Sequence, residues 1–491
     1  IAGLPVLECV EFGRNVVTYD EVRQDAPEIG LGNVFHMNHT ENTKVSLSKK
    51  SLASHTFITG STGSGKSNTV YHMLDRARKQ GVKFLVVEPA KGEYKNVFGG
   101  RKDVTVLGTN PKLSQLLRIN PFSFPENIHV LEHMDRLVEI FNVCWPMYAA
   151  MPAVLKNAVE KSYVDCGWDI VKSENKYGEE LYPSFADVAR NVKEIIDSSE
   201  YDAENKGAYK GSLLTRLQSL CNGINGMIFV ADEIPKEQLF EENVIVDLSR
   251  VGSSETKSLI MGMMVLKLQE YRMSSATGMN AELNHITVLE EAHNLLRRTS
   301  NEQSAEGSNL LGKSVEMLSN AIAEMRTYGE GFIIADQAPG LMDMSVIRNT
   351  NTKIILRLPD QADRELVGRA ANLNEDQITE LAKLPCGVAA VYQNEWIQPV
   401  LCKVDLFAAP EKPFTFDPED NDLDNYYKTE VEESLLNCIM EKEILRRGNK
   451  TDLKALKSKI IKSKLETCVK RDFMEYLEHD GENAIETLRK L

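Results

Sequence analysis

The sequence predicts an α/β fold: a mostly parallel sheet covered by helices, with a helical insertion and a helical C-terminal tail. Three observations predict it. From Thr56 onward, short β-rich runs alternate with helical ones. One of these runs leads through a glycine-rich turn into a helix, in FITGSTGSGKSNTV. A long block with helical apolar spacing interrupts the alternation after the third run.

The runs are Thr56–Thr59, Phe84–Glu88, Val104–Leu107, Val244–Leu248, Ile286–Leu289, Phe332–Asp336, Ile354–Leu358 and Val388–Gln393. Near-continuous apolar strands of this length belong to sheets buried on both faces. Residues 1–50 are mixed, with a short strand expected at Asn15–Tyr19, and form a β-rich remnant or linker. Residues 51–125 and 241–412 make the core, and residues 126–240 the insertion, where HMDRLVEIFNVCW has helical periodicity. Residues 413–491 form a charged appendage: DPEDNDLDNYYKTEVEE is acidic, and Arg446–Lys464 then carries eight basic residues against Asp452 alone.

Composition bounds the function. The chain has 491 residues, 42% hydrophobic and 26% charged, as in folded domains, and no apolar run long enough to span a membrane. The net charge of −15 excludes a generally basic nucleic-acid binder but not a locally basic channel. Eight scattered cysteines without C-x-x-C pairs, and no secretory signal, read as reduced thiols in a cytoplasm. His36 and His39 lack the further ligands a metal site needs and read as loop residues.

The glycine-rich turn is G-x-x-x-x-G-K-S, a phosphate-binding loop. Gly60, Ser61, Thr62, Gly63, Ser64, Gly65, Lys66, Ser67 and Asn68 are the expected nucleotide contacts. The glycines let successive N–H groups face phosphate oxygens, and the following helix adds its positive end. Lys66 is expected to reach the β- and γ-phosphates, and the Ser67 hydroxyl to ligate Mg²⁺. In HITVLEEAHNLL an apolar strand ends in two carboxylates: Glu290 is placed to hold Mg²⁺ and Glu291 to deprotonate the attacking water. A glutamate directly after the metal carboxylate points to ATPases that couple hydrolysis to motion. Gln337, ending the strand in GFIIADQAPG, is placed to sense the γ-phosphate. Arg326, closing a helix in AEMRTYGEGF, is either a dipole partner or an arginine supplied to a neighbour's site, with Arg357 in KIILRLPD competing for that role.

Together HTFITGSTGSGKSNT, VVEPAKGEYKNV, RINPFSF, VIVDLSRVGSSETK, ITVLEEAHNLL, EMRTYGEGFIIADQAP and NTNTKIILRL resemble the HerA branch of the HerA/FtsK superfamily of DNA-pumping ATPases, from His55 to about Val400. The resemblance implies a RecA-like core, Mg²⁺-ATP, a homo-hexameric ring and double-stranded DNA through its channel. It implies a protein partner as well: a NurA-type nuclease or, in anti-phage systems, a sirtuin-like or nuclease effector. An ATP-gated scaffold for such an effector and a conjugation or secretion motor are the alternative functions. Ser54 stands where many relatives have an arginine, and the tail is longer and more charged than the family pattern. Channel-facing candidates for DNA contact are Lys91, Lys95, Arg250 and Lys257, each equally readable as surface charge.

Overall fold

The computed structural model describes residues 10–19, 28–178, 180–276, 278, 280–298, 310–408, 412–418, 453–463 and 465–478. The chain forms two compact units. The first comprises residues 1–107, 143–145 and 236–415, and the second residues 108–142, 146–235 and 416–491.

The first unit is built on strands β1 (Glu28–His36), β2 (His39–Ser48), β3 (Thr56–Thr59), β4 (Lys83–Glu88), β5 (Val104–Gly108), β6 (Asn243–Asp247), β7 (His285–Glu290), β8 (Glu330–Asp336), β9 (Thr352–Ile355), β10 (Val388–Gln393) and β11 (Val400–Val404). They lie in the order β2-β1-β11-β10-β9-β3-β8-β7-β4-β6-β5. From β9 to β6 every neighbouring pair is parallel. From β9 to β2 every pair is antiparallel. The parallel strands are short and buried along their whole length, as in HITVLE and EGFIIAD, which is why they read as continuous apolar runs. Their C-terminal ends are in register: Asp336 pairs with Thr59, and Glu290 with Ala335. That alignment gathers everything following β3, β7 and β8 at one edge of the sheet.

The eight runs expected from the sequence are all strands, although the one at Ile354 ends at Ile355. The strand expected at Asn15–Tyr19 is not formed. Residues 10–19 make only isolated bridges, Gly13 to Val400 and Thr18 to Trp396. β1, β2 and β11 went unread. The β1–β2 pairing is broken by irregularities between Gly30 and Gly32 and between Asn33 and Phe35, which disturb the period-two pattern that marks a strand. At Gly32 a Cβ would lie 2.1 Å from the Lys403 carbonyl, so only glycine fits beside β11.

The second unit is mainly helical, with helices at Val130–Cys144, Met151–Asp165, Phe185–Ser198, Ala203–Tyr209, Thr215–Cys221 and Gly223–Ile228 and a hairpin pairing Trp168–Asp169 with Glu174–Asn175. Ser184 and Asp187 form a reciprocal capping box that starts the Phe185 helix. Aromatic rings fill the interior, with Trp168 stacked on Tyr182 at 5.4 Å. Two tail helices, Leu453–Lys462 and Thr467–Glu478, belong to this unit. Thr467 Oγ1 donates to Asp187 at 2.6 Å, and Tyr177 donates to Glu475 at 3.0 Å. Most of the acidic stretch after Pro413, the segment Arg446–Asp452, and Cys9 and Cys438 lie outside the described residues.

Candidate active site

The phosphate-binding loop joins β3 to the helix Lys66–Lys79. Gly63 and Gly65 have φ of +75° and +108°, the left-handed backbone that a side chain disfavours. A Cβ on Gly60 would sit 2.5 Å from Ser64 Oγ and 2.8 Å from Leu356 Cβ. The loop is pinned from outside: Ser61 N donates to the Arg357 carbonyl at 2.9 Å, and Gly387 N donates to the Ser64 carbonyl at 2.8 Å. The helix has no side-chain cap at its start, so its first N–H groups are left for a ligand. Ser64 Oγ is buried with no hydrogen-bond partner. A left-handed cradle, an uncapped helix and an orphaned hydroxyl together fit the phosphates of a nucleotide.

Opposite the loop, β7 ends at Glu290, and Glu291 follows in left-handed backbone with φ of +45°. Lys66 Nζ lies 3.5 Å from Glu290 Oε2 and 3.4 Å from Glu291 Oε1. Tyr94 donates its hydroxyl to Glu290 Oε1 at 2.5 Å. Burial pushes the Glu290 carboxyl up from its ordinary value, and Lys66 and Tyr94 only partly offset it. Gln337, just past β8, donates to Glu291 Oε1 at 2.9 Å and accepts from Thr62 Oγ1 at 3.0 Å. The structure thus links Thr62, Gln337, Glu291 and Lys66 in one chain of contacts across the loop and two strand ends.

Two acids here escaped the sequence reading. Glu88, at the end of β4, lines the same cleft as Lys66, Ser67, Tyr94, Glu290 and Glu291. It accepts from the N–H groups of Glu93 and Tyr94, and burial pushes its pKa up to about 8. Asp336, fully buried at the end of β8, accepts at 2.8 Å from both the backbone N and the Nδ1 of His293. The hydrogen bond to Asp336 raises the His293 pKa. His293 Nδ1 also lies 3.6 Å from Glu291 Oε2. The available signal was an acid closing each of several parallel apolar runs. The donors around Ser67 are a hydroxyl and carboxylates, hard oxygens of the kind Mg²⁺ takes.

The remaining expectations divide. The Asn68 side chain is engaged away from the loop, donating to the Asp405 carbonyl and accepting from Phe407 N. Lys95 is held by Asp247 at 2.6 Å, with the aspartate nearly inaccessible, so its charge is answered within the fold. Lys91 and Arg250 are exposed, and Lys257 is half-buried. Arg326 is exposed in the turn Met325–Tyr328 that precedes β8. It therefore lies about 20 Å from its own loop, at the other end of β8, given the rise of a strand. The Arg357 backbone borders its own loop.

A model of the central domain of helicase HerA matches residues 29–268. The chain is 24% identical over 380 residues to the DNA double-strand break repair helicase HerA of Sulfolobus acidocaldarius, covering 74% of this chain and 68% of the relative. The HerA of Sulfurisphaera tokodaii is also 24% identical, over 373 residues and the same shares of each chain. Among solved structures, VirB4 of Thermoanaerobacter pseudethanolicus aligns with a TM-score of 0.55 and 17% identity, over 79% of this chain and 98% of that one.

These matches support a HerA-type ATPase of the HerA/FtsK superfamily.

The plasmid coupling protein TrwB in complex with ADP and Mg²⁺ aligns with a TM-score of 0.54 and 13% identity, over 83% of this chain and 99% of that one. It shares the RecA-like α/β core on which this ATPase builds its site. The matched HerA domain contains the loop and ends before β7, so the assignment of the second half of the site rests on the contacts of Glu290, Glu291 and Gln337. Among the described residues no helix is long and apolar enough to cross a membrane.

Proposed function

We propose that the chain is a subunit of a homo-hexameric ring that hydrolyses Mg²⁺-ATP to move double-stranded DNA through its channel, working with a nuclease or other effector. The observation that carries this reading is the Thr62–Gln337–Glu291–Lys66 chain, which ties the phosphate-binding loop to two other strands. Lys66 bridges Glu290 and Glu291 here. When a triphosphate enters, Lys66 turns to its β- and γ-oxygens and releases both carboxylates. Ser67 and Glu290 would hold Mg²⁺, which would draw charge from the phosphate oxygens. Glu291 is left free to take a proton from the attacking water. Gln337, bonded to both Thr62 and Glu291, changes partners as the γ-phosphate comes and goes, and passes that change to β8. Arg326, remote from its own loop, serves the neighbour's site, where it meets charge developing on the transferred phosphate.

DNA action is proposed because HerA relatives are named as helicases of double-strand break repair. Glu291→Gln keeps the shape and loses the base. It should retain ATP affinity while phosphate release falls by about 10²–10⁴-fold, with or without a DNA duplex. Nucleotide binding and phosphate release measured on the purified assembly test this. Normal turnover in the variant would remove Glu291 from the role, and an ATPase rate in the native protein indifferent to DNA would remove the motor reading.

A further inference from the structure

The first unit contains a groove of about 540 Å³ lined by three arginines, Arg298, Arg348 and Arg369, above an apolar floor that includes Met344, Ile347 and Leu366. All three arginines are exposed. Arg369 has a loose pair with Glu375 at 3.9 Å, both side chains mostly in solvent, an interaction of small strength. Glu365 also lines the groove and accepts from Gln361. Three arginines against Glu365 in the lining, and Glu375 loosely paired with Arg369, still leave a local excess of positive charge in a chain whose net charge is −15. Exposed arginines beside apolar side chains suit a ligand with anionic edges and apolar faces.

The position of the groove gives the excess a use. Its walls are the segments that leave β7 and β8 just after Glu291 and Gln337. Asn294 donates from both its backbone and its side chain to the Glu291 carbonyl. Arg298 N donates to the Leu341 carbonyl at 2.7 Å, Asp343 N donates to the Leu296 carbonyl at 3.0 Å, and Arg297 bridges to Met342. Gly340 N donates to Asp363 Oδ1 at 2.9 Å, which ties the β8 segment to the helix Gln361–Ala370 that carries Arg369. A few hydrogen bonds therefore separate the arginines from the residues that handle the water and the γ-phosphate.

We propose that Arg298, Arg348 and Arg369 grip the phosphodiester backbone of nucleic acid and couple that grip to ATP hydrolysis, a reading that rests on the DNA-motor function above. Arginine forks meet phosphate oxygens in pairs, and sugar faces lie on the apolar floor. Movement of Glu291 and Gln337 on hydrolysis shifts the bridged segments, and with them the arginines.

The test uses the full chain and a random-sequence DNA duplex, with affinity followed by fluorescence anisotropy over a salt series. Each phosphate contact contributes about 0.9 to the slope of log affinity against log salt. The triple variant Arg298→Gln, Arg348→Gln, Arg369→Gln should lower that slope by about 2–3 and lose DNA stimulation of the ATPase. The matching triple lysine variant should keep most of the slope, because a point charge still meets phosphate, and this separates loss of charge from misfolding. Native protein that fails to bind the duplex at low salt would sink both the motor reading and the groove. Native-like slope and stimulation in the glutamine variant would sink the groove alone. Intact DNA binding with a collapsed ATPase rate would assign the arginines to a neighbour's nucleotide and overturn the proposal.

Discussion

The paired strands β7 and β8 have carboxylates at both edges of the pair, Glu330 starting β8 beside His285 of β7, and Glu290, Glu291 and Asp336 at the finish, and the two edges are treated differently. At the start of β8, Glu330 is fully buried and fully answered. His285 Nδ1 lies 2.8 and 3.0 Å from its two oxygens, Arg272 Nε donates to it at 2.9 Å, and Thr287 Oγ1 donates at 2.8 Å. Burial pushes this carboxyl up, yet His285, Arg272 and Thr287 outweigh burial and hold it below its ordinary value. At the finish, Glu88 from the end of β4 joins Glu290 and Glu291 in a cleft also lined by Lys66 and Lys91, and Lys66 is the cation that meets both Glu290 and Glu291. There burial wins, and Glu88 and Glu290 are pushed up. A buried charge with its partners in place is structural. Crowded carboxylates with too few cations to answer them suit a ligand that brings its own charge.

Arg326 gives the largest expected effect and complicates the division, because it extends from the balanced end without helping to balance it. Arg326→Ala should assemble and bind ATP but lose about 10³-fold in hydrolysis, as removal of an arginine supplied to a neighbour does. Mixing it with Lys66→Ala subunits, which lose tight ATP binding, should restore part of the activity. If subunits exchange and the mixture stays inactive, Arg326 does not act in trans and Arg357 takes its place. Next in size, Glu330→Ala removes the buried acceptor shared by Arg272 Nε, His285 Nδ1 and Thr287 Oγ1, leaving Arg272 only Glu241 and the Phe240 carbonyl, and should cost about 3–5 kcal/mol in urea unfolding. A cost near zero would mean the buried end is not structural. At the other end, Glu290→Gln relieves crowding and should change stability without nucleotide by no more than about 1 kcal/mol, while ATP turnover falls sharply. A loss as large as that of Glu330→Ala would erase the contrast. The smallest effect is the pH dependence. Because the Glu330 carboxyl sits below its ordinary value, its contribution is complete above about pH 4.5 and is lost as pH falls below that. Glu330→Gln should be weaker at neutral pH and show a shallower decline in acid, by about 1 kcal/mol, in midpoints followed from neutral to acid pH.

The loop and the strand-ending Glu-Glu were legible because their chemistry is local. A G-x-x-x-x-G-K-S turn needs its residues consecutive, and adjacent carboxylates at a strand end need no distant information. Gln337 was legible by the same logic, as the residue closing the next apolar run. Glu88 and Asp336 were not, since single acids after strands look like many other turn residues until the parallel register brings four strand ends together. Lys95 read as a free surface charge because Asp247 is remote in sequence, and only the β4–β6 pairing sets them together.

The sequence by itself determined the fold class, the phosphate-binding loop and the order of the candidate site elements, because strand period, glycine turns and charge placement act over a few residues. Tertiary structure alone decided which charges are answered and which are left open. It gave Glu330 three partners from distant segments and placed Arg326 at the far end of β8 from its own loop. It gathered Arg298, Arg348 and Arg369 into one groove. The free energy of a charge depends on its burial and on the groups within a few ångströms, and both are set by contacts between residues far apart along the chain.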